Sequence, residues 1–323
     1  MYQSHLTIQE TEAAIKWIKD AFEMELAKAL RLVRVSAPLF VAADTGLNDR
    51  LSGYEPPLSF EYQGTIVEVV QSLAKWKRQA LHEYAIPLHH GLYTDMNAIR
   101  PNEILDETHS LYVDQWDWEK SIEAKDRTQA YLQQEVRTIY QVMQTIEQRL
   151  LLRYPQLSSK LPATLTFINS ETLRQTYPTL SPCEREQRVV EIYGAVFIEQ
   201  IGAPLGDGIP HGPRSPDYDD WTLNGDLLVY HAPLKRVLEL SSMGIRVDAE
   251  ALQRQLQTRE KWQMGPFHER VLAHQLPLSI GGGIGQSRMC QYLLEKQHIG
   301  EVQASYWPPA MVDQCRQQHI PLL

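Results

Sequence analysis

The sequence predicts an α+β fold, a mainly antiparallel sheet flanked by helices. Three observations lead there. Strand-like and helix-like segments mix without the strict alternation that a parallel sheet requires. Two places read as antiparallel neighbours: two of the three short strands TIVEVV, GLYTDM and LYVDQW, and the two halves of DLLVYHAPLKRVLELSSMGIRV across a Pro-containing turn. The glycine-rich word GGGIGQSR, Gly281 to Arg288, lies too near the end of the 323 residues for the remainder of a dinucleotide-binding unit.

In chain order, Thr7 followed by Glu10 reads as a capping box, and Ile15, Ile18, Phe22, Leu26 and Leu30 recur behind it at helical spacing, predicting an amphipathic helix over about 8–30. LRLVRVSAPLFV alternates and is rich in β-branched residues, predicting one strand with Pro38 near its end. TIVEVV, GLYTDM and LYVDQW follow as short strands, with a helix in LAKWKRQALHEY. A long helix is expected over about 125–152, then a strand at TLTFI, helices at ETLRQTY and CEREQRVVEIY, and a strand at AVFIEQI. Asp248 is placed to cap a helix, and Ile201 to Pro216 reads as an irregular loop. With no repeat and no Gly/Ser-rich linker, one domain over 1–323 is expected.

Composition narrows the function. The formal charge of -9 works against broad attraction to phosphodiester backbones, so nucleic acid is not an expected partner. No run of 18 apolar residues and no signal-peptide pattern occurs, so the expected location is cytoplasmic, without a membrane partner. Cys183, Cys290 and Cys315 are scattered, which argues against a disulfide framework or a zinc knuckle. SLAK, Ser72 to Lys75, matches an acyl-enzyme SxxK but lacks its partner motifs, and HERVLAH has the wrong spacing for a zinc protease. His82, His89 and His90 are read as loop or surface histidines.

Two features point to phosphate. GGGIGQSR runs into the helical MCQYLLEK, and glycines at a helix mouth offer backbone amides to an anion. Arg100, ending a strand-like run before Pro101, can present a planar fork to a phosphate or pair with Glu103. Acids are concentrated at Asp49, Asp114, Asp117, Asp217, Asp219, Asp220, Asp226 and Glu239, beside Trp116, Trp118 and Trp221. Such a group can bind Mg2+ together with substrate phosphates, or an ammonium group.

The words SLAKWKRQ, GLYTDMNAIRP, YVDQWDWE, PDYDDW, LNGD, ELSSMGIRVD and GGGIGQSR, in that order, resemble ammonia-dependent asparagine synthetase, the aspartate–ammonia ligase related to class II aminoacyl-tRNA synthetases. The resemblance spans nearly the whole chain. It implies a class II synthetase-like catalytic core in a homodimer, with Ala37 and Pro38 near the dimer interface. It implies an enzyme using ATP and Mg2+ to join free ammonia to L-aspartate through a β-aspartyl-adenylate. The products would be asparagine, AMP and pyrophosphate.

By the same resemblance, Arg100 would grip the α-phosphate and Arg288 would lie against the nucleotide. Asp219, Asp226, Glu239 and Ser241, with Leu240 and Gly285 beside them, would form the nucleotide site, and Asp226 and Glu239 would hold the metal. Asp49, Gln115 and Asp117 would receive the α-ammonium of aspartate, Lys77 its α-carboxylate, and Ser72 and Ser242 would complete that site. Gln71 and Arg50 depart from the family pattern, the first where histidine and the second where asparagine is usual. A tRNA-charging paralogue would be expected to carry an added anticodon-binding domain and a basic surface.

Overall fold

The computed structural model describes residues 2–259, 262 and 264–323. The capping box is present: the Thr7 side chain accepts from the Glu10 N–H, and the Glu10 carboxylate accepts from the Thr7 N–H. Behind it α1 (Ile8–Leu30) buries Ile15, Ile18, Phe22, Leu26 and Leu30. The predicted LRLVRVSAPLFV strand is corrected to two. β1 (Leu32–Arg34) pairs in parallel with a strand of the large sheet, whereas β2 (Phe40–Ala42) belongs to a separate three-stranded sheet. Pro38 lies between them, where its missing N–H breaks no ladder. That small sheet also holds β3 (Ser59–Tyr62), which the sequence reading missed, and β4 (Thr65–Val69).

After α2 (Ala74–Glu83), β5 (Gly91–Ile99) and β6 (Tyr112–Ser121) form the expected antiparallel pair, in register from Gly91 with Lys120 to Ile99 with Tyr112. The long helix α3 (Gln129–Arg153) packs beside α1. Then come β7 (Thr166–Asn169), α4 (Ser170–Thr176), α5 (Pro182–Tyr193) and β8 (Ala195–Glu199). β9 (Asp219–His231) and β10 (Arg236–Arg246) are the second predicted pair. α6 (Ala249–Leu256) is capped by Asp248, whose carboxylate accepts from the Ala251 N–H. α7 (Pro266–Leu272), β11 (Ser279–Gly285), α8 (Gln286–Leu293) and α9 (Pro309–Gln317) complete the chain.

The large sheet has eight strands in the order β1-β5-β6-β11-β10-β9-β8-β7. Its two outermost pairs are parallel and its five inner pairs antiparallel, so it is a mixed, mostly antiparallel sheet. Because side chains alternate along a strand, β6 sends Trp116 and Trp118 into the core beneath α1 and α3. Gln115, Asp117 and Glu119 therefore share the opposite face.

Gly281, Gly283 and Gly285 lie in β11 between β6 and β10, none adopts a positive φ, and Gly285 stands as the N-cap of α8. A Cβ at Gly281 would meet the Glu119 carboxylate and lie 2.6 Å from the Trp118 carbonyl, and one at Gly283 would meet the Gln115 amide. The strand is bare so that its neighbour's polar side chains can lie across it. At the head of α8 the Ser287 N–H is already taken, at 3.0 Å, by Asp114.

Gly281→Ala must displace a buried carboxylate or the backbone, and overpacking of this kind costs about 1–3 kcal/mol. Chemical denaturation should show that loss; an unchanged midpoint would contradict this account of β11.

Candidate active site

The polar face of β6 forms the floor of a cavity of about 230 Å3, walled by α2, the segment after β5, β10, β11 and the start of α8. Ser72, Lys77, Arg100, Gln115, Asp117, Asp219, Glu239, Leu240, Ser241, Ser242, Gly285 and Arg288 all line it. Asp49 and Asp226 do not.

One end is a sealed network of charge. Lys77 is fully buried, and its ammonium bonds the Asp117 carboxylate, donates to the Trp118 carbonyl at 2.8 Å and lies 3.8 Å from Glu119. Glu119 accepts from Arg246 at 2.8 Å and from the Ser279 hydroxyl at 2.7 Å, and Arg246 also pairs with Asp219. These five side chains carry three negative and two positive charges, and the charges of Arg78 and Arg214 also act on Glu119 and Asp219. Asp117 is the member left open, because among the described residues its Oδ2 is buried without a partner and burial raises the Asp117 pKa. Lys77 and Asp117 are thus partners of one another before any substrate arrives. Asp219, expected at the nucleotide, is already committed to Arg246.

Asp49, expected as an ammonium receptor, caps a helix. The residue before α2, Leu73, offers no capping side chain, and the Asp49 carboxylate accepts instead from the Ala74 and Lys75 N–H groups at 2.6 and 3.4 Å. Burial pushes it up to about 6, while Lys75, 3.9 Å away, works in the opposite direction. Lys75 is also tied at 3.2 Å to Asp217, which His268 meets at 3.1 Å. Arg50 faces a different cleft, lined also by Lys75, Asp217 and His268, and does not line the cavity. Gln71 is buried and donates to the Glu55 carbonyl.

The other end is cationic and more open. Arg100 has a buried Nε without a partner among the described residues, and burial lowers its pKa. Arg288 donates to the carbonyls of Thr108 at 3.3 Å and Glu239 at 3.2 Å, and lies 4.0 Å from the Glu239 carboxylate. Arg214, which lines the cavity, pairs with Asp226 behind it. Burial and the charge of Glu239 push Asp226 up to about 6 against that arginine, and its Oδ1 is buried without a partner among the described residues. An oxygen-rich pair with one orphaned carboxylate oxygen fits a hard divalent cation.

Sequence reading missed Glu119, Arg246, Arg214, Tyr218 and the Thr108–Ser110 segment. Glu119 had a signal: it is two residues beyond Asp117 and four beyond Gln115 on one strand, hence on one face. Arg246 had the same signal relative to Ser242. Arg214 had none, since its loop meets Asp226 through the fold alone.

Residues 9–319 match the aspartate-ammonia ligase family. The chain is 53% identical over 326 residues to an aspartate–ammonia ligase of Bacillus cytotoxicus and 52% identical to one of Bacillus cereus, each alignment covering 100% of both chains. This protein belongs to the aspartate–ammonia ligase family. It is an enzyme that makes asparagine from aspartate and free ammonia with ATP. The fold is shared more widely. An asparaginyl-tRNA synthetase of Pyrococcus horikoshii, complexed with asparaginyl-adenylate, superposes with a TM-score of 0.66 at 15% identity, covering 93% of this chain and 70% of its own. An aspartyl-tRNA synthetase of Entamoeba histolytica gives 0.61 at 14% identity, covering 93% and 59%. The ligase therefore has a class II synthetase-like core.

Glu119 carries a pH signature. It is fully buried; burial alone would raise its pKa, but Arg246, Lys77 and Ser279 together hold it below its ordinary value. Its contribution is complete above the unfolded value of about 4.3 and is lost as pH falls from there through the lower folded value. Glu119→Gln should cost about 3 kcal/mol at neutral pH. The gap from wild type, read by denaturation, should shrink in acid below that value; a gap unchanged at pH 3 would contradict the assignment.

Proposed function

We propose that the cavity activates the β-carboxylate of L-aspartate as an adenylate, with the sealed end holding the amino acid and the cationic end holding ATP. The Asp117 oxygen left buried without a partner among the described residues carries this reading. An α-ammonium supplies that partner. In this reading the α-carboxylate takes Lys77, and Gln115, Ser72 and Ser242 orient the remainder. Both α groups are then spent, so the β-carboxylate alone faces the phosphates. Asp49 acts through α2, fixing the turn that presents Ser72 and Lys77.

A carboxylate attacking an anionic phosphate needs cations. Two unit charges about 4 Å apart repel by about 4 kcal/mol at an effective dielectric near 20. Arg100 meets the α-phosphate and Arg288 lies against the nucleotide, flanked by Glu239, Leu240, Ser241 and Gly285. Asp226 and Glu239 would hold Mg2+, which when bound supplies further positive charge to the polyphosphate. The β-carboxylate oxygen bonds the α-phosphorus as pyrophosphate leaves. Ammonia then bonds the β-carbonyl carbon as AMP leaves, and the nitrogen gives up a proton to water.

The functional unit in this reading is one catalytic domain over 1–323, in a cytoplasmic homodimer. A main hydrophobic cluster running from Leu6 to Trp307 supports the single domain. Exposed Val33, Leu39 and Phe40, around Ala37 and Pro38, support an interface there. No described helix is long and apolar enough to cross a membrane.

Protein incubated with ATP, Mg2+, aspartate and ammonium should yield asparagine and AMP in equal amounts, and ADP in place of AMP would overturn the adenylate. Arg100→Ala should slow aspartate-dependent ATP–pyrophosphate exchange by about 100-fold or more with little change in aspartate binding. Asp117→Asn should mainly weaken aspartate. Equal, mild effects from both would count against the division of the site.

A further inference from the structure

We propose that Lys19, which lies on α1 outside the cavity, is a positioning residue for ATP: it neutralises Asp114, so that this carboxylate can hold the head of α8 without presenting a bare negative charge to the polyphosphate. The inference rests on the preceding assignment of ATP to the end of the cavity where Arg288 lies.

Asp114 is 6% exposed, on β6, and lines the cavity beside Ser287, Arg288 and Gln303. Its Oδ1 accepts from the Ser287 N–H at 3.0 Å and from the Gln303 amide at 3.4 Å, and Gln303 also donates to the Ser287 hydroxyl at 2.9 Å. That bond fixes the first turn of α8, one residue from Arg288. An anion at a helix N-terminus is favourable for the helix. The same anion is unfavourable for a ligand made of phosphates.

Lys19 resolves the conflict. Its ammonium donates to Asp114 Oδ2 at 2.9 Å, on the side away from Ser287. Its position follows from the core, because its neighbours Ile18 and Phe22 are fully buried and Phe22 rests on Trp116 with ring centroids 4.3 Å apart, two residues along β6 from Asp114. Burial works against the Lys19 ammonium, but Asp114, with smaller contributions from Cys290 and Tyr112, holds the Lys19 pKa above its ordinary value. With one partner nearly sealed and the other about a third exposed, solvent and salt screen the pair less than a surface ion pair. Lys19 does not line the cavity, so its influence on ATP passes through Asp114.

The test is a charge-removal double-mutant cycle in steady-state kinetics. Lys19→Met should raise KM for ATP by about tenfold and leave KM for aspartate within about twofold. Adding Asp114→Asn, which keeps an oxygen for the Ser287 N–H but removes the charge, should return KM for ATP to within about threefold of wild type. Lys19→Arg should resemble wild type. Equal rises in both KM values, a fall in kcat alone, or no rescue by Asp114→Asn would overturn the inference. Lys19→Gln is read by the same criteria should Lys19→Met be too unstable to assay. Wild-type ATP–pyrophosphate exchange is the control. Its absence defeats the adenylate reading, whereas normal exchange with an unshifted KM for ATP in the lysine variant defeats this inference alone.

Discussion

Charge sealed from water between α2, β6 and β10 constrains everything else in this molecule. An isolated buried ion costs several kcal/mol even after the protein relaxes around it, so such groups persist only when opposite charges and hydrogen bonds surround them. Lys77, Asp117, Glu119, Arg246 and Asp219 meet that condition jointly, save at the open Asp117 oxygen, and no pair among them does so alone. The geometry must then be held tightly, since a shift of one member leaves another exposed to a low-dielectric surrounding. β6 and β10 are inner strands of the eight-stranded sheet and α2 is capped by a buried acid, which is the rigidity the network needs.

β11 is where this constraint meets the sequence. A strand of ordinary residues between β6 and β10 would fill the space in which Glu119 and Gln115 lie. The glycines are therefore a packing requirement of their neighbours. They also lead directly into α8, whose N-cap is Gly285. The word marks the site because it makes room for the site.

Legibility in the sequence followed the range of the interaction. α1 and its cap were readable because Thr7, Glu10 and the apolar stripe are local, and the β5–β6 and β9–β10 pairs because each strand follows its partner closely. The split of β1 from β2, and the small sheet that β3 and β4 complete, were not, since the destination of a three-residue strand is set by tertiary partners. Most candidate site residues could be named from the family words, and those words gather at one cavity. What they do to one another was hidden: Lys77 and Asp117 pair across 40 positions, Asp219 is held by Arg246, and Asp49 serves helix amides.

The two ends of the cavity divide the work by solvent exposure. In the proposed reading the amino-acid end is buried and preformed, suited to choosing one small zwitterion, while the nucleotide end, with Glu239 and Arg288 partly exposed, would admit a larger and more charged ligand. A crystal structure with L-aspartate bound tests the central claim most directly. The account predicts that the ligand's ammonium meets Asp117 and its α-carboxylate meets Lys77, with the bond between those two side chains lengthened or broken. Aspartate bound elsewhere, with the Lys77–Asp117 bond intact, would contradict it.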